Sequence, residues 1–263
     1  MSQHRPEGLS NGASGARRSH LAMAQVPSPA EIASLVLGRR FGTEYQPVVD
    51  LRSGATIGHE ALSRFFDGDG RPVSPGPVFA RLRDDPSLLL HVEAETKRFQ
   101  IEHAPRGPLF VNVDPDSFHA GTGEPRHVLL DAIEGHPPGI VVEVIETVSL
   151  RDVRRGREMV RALRARSIGV ALDDVGAPDT LLCLEALRDA DILKLDASWL
   201  GRVGEPRDRA VLEALLGLAR RLGTRTILEG VETREQLVLA EALGVDAVQG
   251  FLFRGRFRSQ LAA

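Results

Sequence analysis

From Ala30 to the end of the chain, short apolar runs alternate with longer amphipathic stretches, and nearly every apolar run closes on a charged or amide residue. This alternation constrains the fold more than any other feature. Eight runs have strand character: Glu44 to Asp50, Ala55 to Phe65, Leu109 to Val113, Ile140 to Ile145, Ile168 to Asp173, Asp191 to Leu195, Thr226 to Glu229 and Ala247 to Phe251. Helical periodicity marks Ala30 to Arg40, Val78 to Arg83, Leu88 to His103, Pro125 to Glu134, Arg151 to Arg166, Thr180 to Asp189, Arg207 to Leu222 and Arg234 to Leu243. Strands that alternate with helices predict a parallel sheet covered by helices. Continuous apolar runs such as Gly139-Ile-Val-Val142 suit strands buried on both faces.

The first connection breaks the pattern. Asp50-Leu-Arg-Ser-Gly54 is too short to hold a crossover helix, so the first two strands must form an antiparallel hairpin. Arg64 to Pro77, rich in Gly, Pro and Asp, reads as a loop. The expected fold is α/β: a modified (β/α)8 barrel of the TIM type with an antiparallel first strand. A length of 263 residues accommodates one such domain. The expected organisation is a flexible tail over 1–29, rich in Ser, Gly, Ala, Arg and Pro, and a barrel over 30–263.

Composition narrows the function. The formal net charge of −3 gives no general basic field, so DNA is not an expected partner. No apolar run reaches the roughly 20 residues of a membrane span, and the N-terminus lacks the apolar stretch of a secretory signal. The single cysteine, Cys183, can form neither an intramolecular disulfide nor a structural zinc site. A reducing cytoplasm is the expected location.

The polar residues within and at the ends of the strands carry the chemistry. Glu60 follows Ile57-Gly58, Asn112 sits in Phe110-Val111-Asn112-Val113, Glu143 interrupts an apolar run, Lys194 lies between Leu193 and Leu195, and Asp173 with Asp174, Glu229 and Gln249 close theirs. In a parallel barrel the C-terminal strand ends meet on one rim, where active sites lie. Five carboxylates sharing one pocket cannot all be ionised without a compensating cation. Carboxylate and amide oxygens suit hard divalent ions, Mg2+ or Mn2+. Two such ions about 3.5–4 Å apart suit phosphodiester hydrolysis. A carboxylate-pair glycosidase would leave Lys194 and Asn112 without a role. Taken singly, each residue has a structural reading as a cap, a turn residue or an ion pair; the combination on seven strands favours a site. Cys183 reads as a small helix hydrophobe and Trp199 as packing beyond a strand.

The ordered set of motifs resembles the EAL-domain family, the cyclic di-GMP phosphodiesterases of bacterial signalling. The match runs from about Phe41 to Phe257 through Tyr45-Gln-Pro-Val-Val-Asp50, Gly58-His-Glu-Ala-Leu-Ser-Arg64, Val111-Asn-Val-Asp-Pro115, Glu143-Val-Ile-Glu146, Asp173-Asp-Val-Gly176, Asp191-Ile-Leu-Lys-Leu-Asp196, Glu229-Gly-Val-Glu-Thr233 and Gln249-Gly-Phe251. The resemblance implies hydrolysis of cyclic di-GMP to linear pGpG. It implies Glu60, Asn112, Glu143 and Asp173 as metal ligands, with Asp174 and Glu229 binding a second metal or holding the attacking water. It further implies that Lys194 contacts that water. Arg64, Gln46 and Gln249 would meet the substrate, Arg64 through a phosphate, and Glu146 would anchor the loop after the Asp pair. Mg2+ or Mn2+, two per site, would be the cofactors.

That loop departs from the family pattern. Val175, Ala177 and Pro178 stand where an aromatic, a Thr and a Gly are usual, and Asp114 replaces a common Ser. Pro fixes φ and lacks an N–H, so the turn is stiffer. Beside an active phosphodiesterase, a slow or non-hydrolysing cyclic di-GMP receptor and a protein-interaction module therefore remain open. No sensor domain fits in the 263 residues, so regulatory input is expected from a separate protein, from dimerisation or from expression level, and pairing into a homodimer is expected from the resemblance.

Overall fold

The structure is a computed structural model that describes residues 28–123, 127–133, 139–145, 150–178 and 180–262. Ten strands occur among them: β1 (Phe41–Asp50), β2 (Thr56–Phe66), β3 (Pro72–Val73), β4 (Leu109–Asn112), β5 (Ile140–Ile145), β6 (Gly169–Val175), β7 (Ile192–Leu195), β8 (Arg225–Leu228), β9 (Ala247–Val248) and β10 (Arg258–Leu261). From β2 through β4, β5, β6, β7 and β8 to β9, each barrel strand pairs in parallel with the next. Reversed β1 pairs antiparallel with β9 on one side and β2 on the other, which closes an eight-stranded barrel.

The hairpin that reverses β1 is built by Asp50. Its Oδ1 accepts the Ser53 backbone N–H at 2.8 Å and the Ser53 hydroxyl at 2.7 Å, the side-chain mimic of a turn. Helices Pro86–Glu102, Leu150–Ala165, Pro206–Leu222 and Arg234–Leu243 lie on the crossovers. The last of these begins in a capping box, with Thr233 and Gln236 satisfying each other's backbone donors.

Several expectations on element limits needed correction. The stretch after Arg64 is not all loop: β2 continues to Phe66, β3 pairs with it, and a helix starts at Pro75. The segment expected as a helix from Thr180 becomes helical only at Leu184, because the Thr180 hydroxyl bonds back to the Ala177 carbonyl instead of capping a helix. The last barrel strand ends at Val248, two residues before Gly250 turns the chain. A short helix at Pro115–Ala120 follows β4, and β10 returns to pair with the first half of β1. Of the expected tail, residues 1–27 lie outside the described residues, as does part of the helix expected over Pro125 to Glu134.

The barrel interior is layered. Val48, Phe110, Ala171, Ile227 and Ala247 pack as one cluster, with Val141 and Ile192 against it. Phe110 fills the space left by Gly58, where an added Cβ would come within 2.9 Å of the ring. Strand side chains alternate between faces with period two. Two residues beyond Phe110, Val141, Ala171, Ile192, Ile227 and Ala247 come Asn112, Glu143, Asp173, Lys194, Glu229 and Gln249. The apolar layer thus fixes a polar layer directly above it. A larger cluster, including Leu129, Met159, Leu172, Leu193, Leu216 and Ala240, joins the outer faces of the strands to the helices.

Candidate active site

The centre of the polar layer is the ammonium of Lys194, whose side chain is 1% exposed. Its Nζ lies 2.6 Å from Glu143, 2.8 Å from Glu229, 2.9 Å from Asp173 and 3.5 Å from Glu60. Asn112 Nδ2 donates to Glu60 at 3.0 Å and to Glu143 at 2.8 Å, and Gln249 Nε2 donates to Glu60 at 2.5 Å. Seven residues from seven strands or strand ends therefore form one connected network.

Asp174 joins it by a different device. Between β6 and β7, Leu172 pairs with Leu193 but Val175 pairs with Leu195, so three residue steps on β6 face two on β7. Such a bulge re-aims a side chain that regular alternation would turn outward. Asp174 takes φ +55°, a conformation that Asp tolerates better than most residues. Ligand oxygens of Asp173, Asp174 and Glu229 then lie within 4.8 Å of one another.

The electrostatics follow from burial and crowding. Burial, then repulsion from Glu60, pushes the Glu143 carboxyl well above the ordinary carboxylate range, against the pull of Lys194. Asp173 is raised by burial as well. Burial, then the Asp173 charge, lifts Asp174 to about 6, and burial outweighs Lys194 to lift Glu229 to about 8. For Glu60 burial is opposed by Lys194 and by hydrogen bonds with Gln249, Glu143 and Asn112, which together hold it below its usual value. The same carboxylates raise Lys194 well above an ordinary lysine.

These residues fit divalent cations. Their donor atoms are carboxylate and amide oxygens, the hard ligands that Mg2+ and Mn2+ take. Glu143 Oε1 and Asp173 Oδ1 are buried without hydrogen-bond geometry to any partner among the described residues; their contacts to Lys194 are ionic. One ammonium among three buried carboxylates and the half-buried Glu229 leaves acidic groups that a divalent ion would allow to ionise.

Gln46 and Arg64 stand further out. The hairpin of β1 and β2 sets Gln46 opposite Glu60 and Gly42 opposite Arg64. Both side chains meet on Glu44, whose Oε1 accepts from Arg64 Nη2 at 2.6 Å and from Gln46 Nε2 at 3.0 Å. Glu44 was not among the residues expected from the sequence, although its even spacing from Gln46 on a strand places the two on one face.

The loop after Asp174 has its own anchors. Trp199, 2% exposed, donates its indole N–H to the Val175 carbonyl at 2.9 Å. Arg202 lies over the Trp199 ring at 4.4 Å and donates to the Gly176 carbonyl at 3.0 Å. Gly176 has φ +81°, and an added Cβ would fall 2.4 Å from the indole, so only glycine fits. Trp199 thus packs beyond its strand as expected, and also ties down the loop. Glu146, the expected anchor, lies outside the described residues.

Comparison with known proteins places this geometry. RocR of Pseudomonas aeruginosa, named a cyclic di-GMP phosphodiesterase, is 29% identical over 240 residues, covering 88% of this chain and 61% of RocR. PdeN of Escherichia coli K12, named a probable cyclic di-GMP phosphodiesterase, is 27% identical over 254 residues, covering 93% of this chain and 49% of PdeN. Across these and three further curated relatives, the chain spans 30% to 61% of the relative's length. The solved PaMucR phosphodiesterase in complex with c-di-GMP superposes with a TM-score of 0.73 at 25% identity, covering 89% of this chain and 97% of that one. Bacillus subtilis YkuI, solved with c-di-GMP and calcium, shares the fold with a TM-score of 0.73 at 23% identity, covering 90% of this chain and 58% of YkuI. The family model of the EAL domain matches residues 30–255, and the chain belongs to the EAL domain family.

Proposed function

We propose that this protein hydrolyses one phosphodiester bond of cyclic di-GMP, giving linear pGpG, with Mg2+ or Mn2+ bound at the barrel mouth. The observation that carries the reading is the convergence of Glu60, Asn112, Glu143, Asp173, Asp174 and Glu229 around Lys194. Glu60, Asn112, Glu143 and Asp173 would hold one ion, and Asp173, Asp174 and Glu229 a second. When bound, the ions supply Lewis-acid activation of the phosphoryl group and of the attacking water.

The side chains do the rest. Water adds to phosphorus as the bond to one ribose 3′ oxygen breaks; the water gives up one proton, and the departing 3′ oxygen takes one from solvent. Asp174 and Glu229, ionised once a cation is bound, would hold the attacking water and take its proton. Lys194 Nζ, 2.8 Å from Glu229, stabilises the negative charge that grows on the attacking oxygen. Arg64 offers a planar fork of donors to a phosphate, and Gln46 and Gln249 offer amide groups to the nucleotide. The alkyl stem of Lys194 and the apolar layer below exclude water from the floor of the site.

Incubation of the purified chain with cyclic di-GMP and Mn2+ or Mg2+, followed by chromatography of the nucleotides, tests the reading. Appearance of pGpG, abolished in Glu60→Ala, is the expected result; intact nucleotide in wild type would contradict it. A second reading, a receptor that binds cyclic di-GMP without turnover, is favoured by Ala177 and Pro178 in the loop after Asp174. Tight binding with intact nucleotide would select it. The proposed setting is a cytoplasmic homodimer. No described helix is long and apolar enough to cross a membrane.

A further inference from the structure

We propose that Glu44 is a built-in competitor of the substrate: its carboxylate occupies the anion-binding groups of Arg64 and Gln46 and must be displaced by a phosphodiester oxygen of the nucleotide. The inference rests on the function proposed above and specifies what sets affinity at that site. The β1–β2 hairpin carries Gln46 and Glu60 in register, and beyond them Glu44 opposite Leu62. Alternation along both strands keeps Glu44, Gln46, Glu60 and Arg64 on one face, so Glu44 lies outward of the carboxylate network along the same wall.

Three features make it a competitor and not a fixed support. One oxygen, Glu44 Oε1, takes both the Arg64 guanidinium at 2.6 Å and the Gln46 amide at 3.0 Å. A non-bridging phosphoryl oxygen has the same acceptor chemistry and the same sign of charge, so it would be recognised by the same two donors. Second, the pair is open to water, with side-chain exposures of 34% for Arg64 and 24% for Glu44. An ion pair in that setting exchanges partners at little cost, unlike the buried contacts of Lys194. Third, the guanidinium has a second, independent tether, since Nη1 donates to the Ser63 carbonyl at 3.0 Å. Arg64 therefore stays at the mouth when Glu44 lets go. After displacement the carboxylate remains beside the bound phosphate, a like-charge contact that weakens binding.

The test is equilibrium binding of cyclic di-GMP to the full chain by calorimetry in calcium, for wild type, Glu44→Gln and Glu44→Ala, each checked for an unchanged melting transition. Both substitutions are expected to lower Kd about three-fold at low salt, the scale of a partly solvated charge pair. The gap should narrow at high salt, where exposed charges are screened. If Glu44 instead positions Arg64, Glu44→Ala will raise Kd and the retained amide oxygen of Glu44→Gln will restore it. An unchanged or raised Kd overturns the assignment and leaves the proposed function standing. Absence of binding by all three proteins overturns both.

Discussion

At the scale of single residues, Lys194 carries the most strain on the account. Its ammonium is buried among Glu60, Glu143, Asp173 and Glu229, and removing it leaves those carboxylates crowded without a counter-charge. Lys194→Met should destabilise the metal-free protein by about 3–5 kcal/mol, the cost of breaking a buried ion pair from one side. Added Mn2+ should recover part of that loss, and urea unfolding with and without the ion measures both. Glu60→Ala makes a second check. It removes the acceptor of Gln249 and one of the two acceptors of Asn112, together with a proposed metal ligand, and turnover should fall at least about a hundred-fold, read from pGpG formation. Folded Glu60→Ala with wild-type turnover would remove Glu60 from the chemistry.

At the scale of elements, the decisive feature is the bulge in β6 together with the loop it feeds. Gly176→Ala would drive a methyl group into the Trp199 indole and should cost about 1–3 kcal/mol of stability by overpacking. Trp199→Phe keeps most of the packing but loses the bond to the Val175 carbonyl, at about 1 kcal/mol. Both are read by thermal unfolding, and equal melting temperatures would deny the loop its anchors. The limits of sequence reading show in the same segment. Glu60, Asn112, Glu143, Asp173, Lys194 and Glu229 were legible because each is a polar residue within or closing an apolar run, and a closed barrel brings its strands together whatever their separation in the chain. Asp174 was legible as a neighbour of Asp173, but strict alternation would face it outward; the bulge that turns it inward has no signature in the residue types. The hairpin reversal was legible because five residues cannot hold a crossover helix. The return of β10 onto β1 was not: Arg258–Leu261 is exposed along its length and lacks the alternating pattern that marks a half-buried strand.

At the scale of the whole molecule, the fold concentrates acidic groups at one mouth of the barrel, and the proposed function couples folding to cations there. An ion that binds only the native state stabilises it by RT ln(1 + [L]/Kd), about 2.7 kcal/mol at a hundred times Kd. The melting temperature should therefore rise with Mg2+ or Mn2+, and a chelator should reverse the rise; a melting temperature indifferent to both would leave the acidic layer without its proposed occupant. The central claim is that carboxylates distant in the chain converge to hold divalent cations above the apolar layer of Val48, Phe110, Ala171, Ile227 and Ala247. Anomalous diffraction from crystals grown with Mn2+ tests it most directly. The expected result is manganese density coordinated by oxygens of Glu60, Asn112, Glu143 and Asp173, with a second ion shared by Asp173, Asp174 and Glu229. A well-ordered map from crystals grown in excess manganese with no anomalous density in the barrel mouth would contradict it.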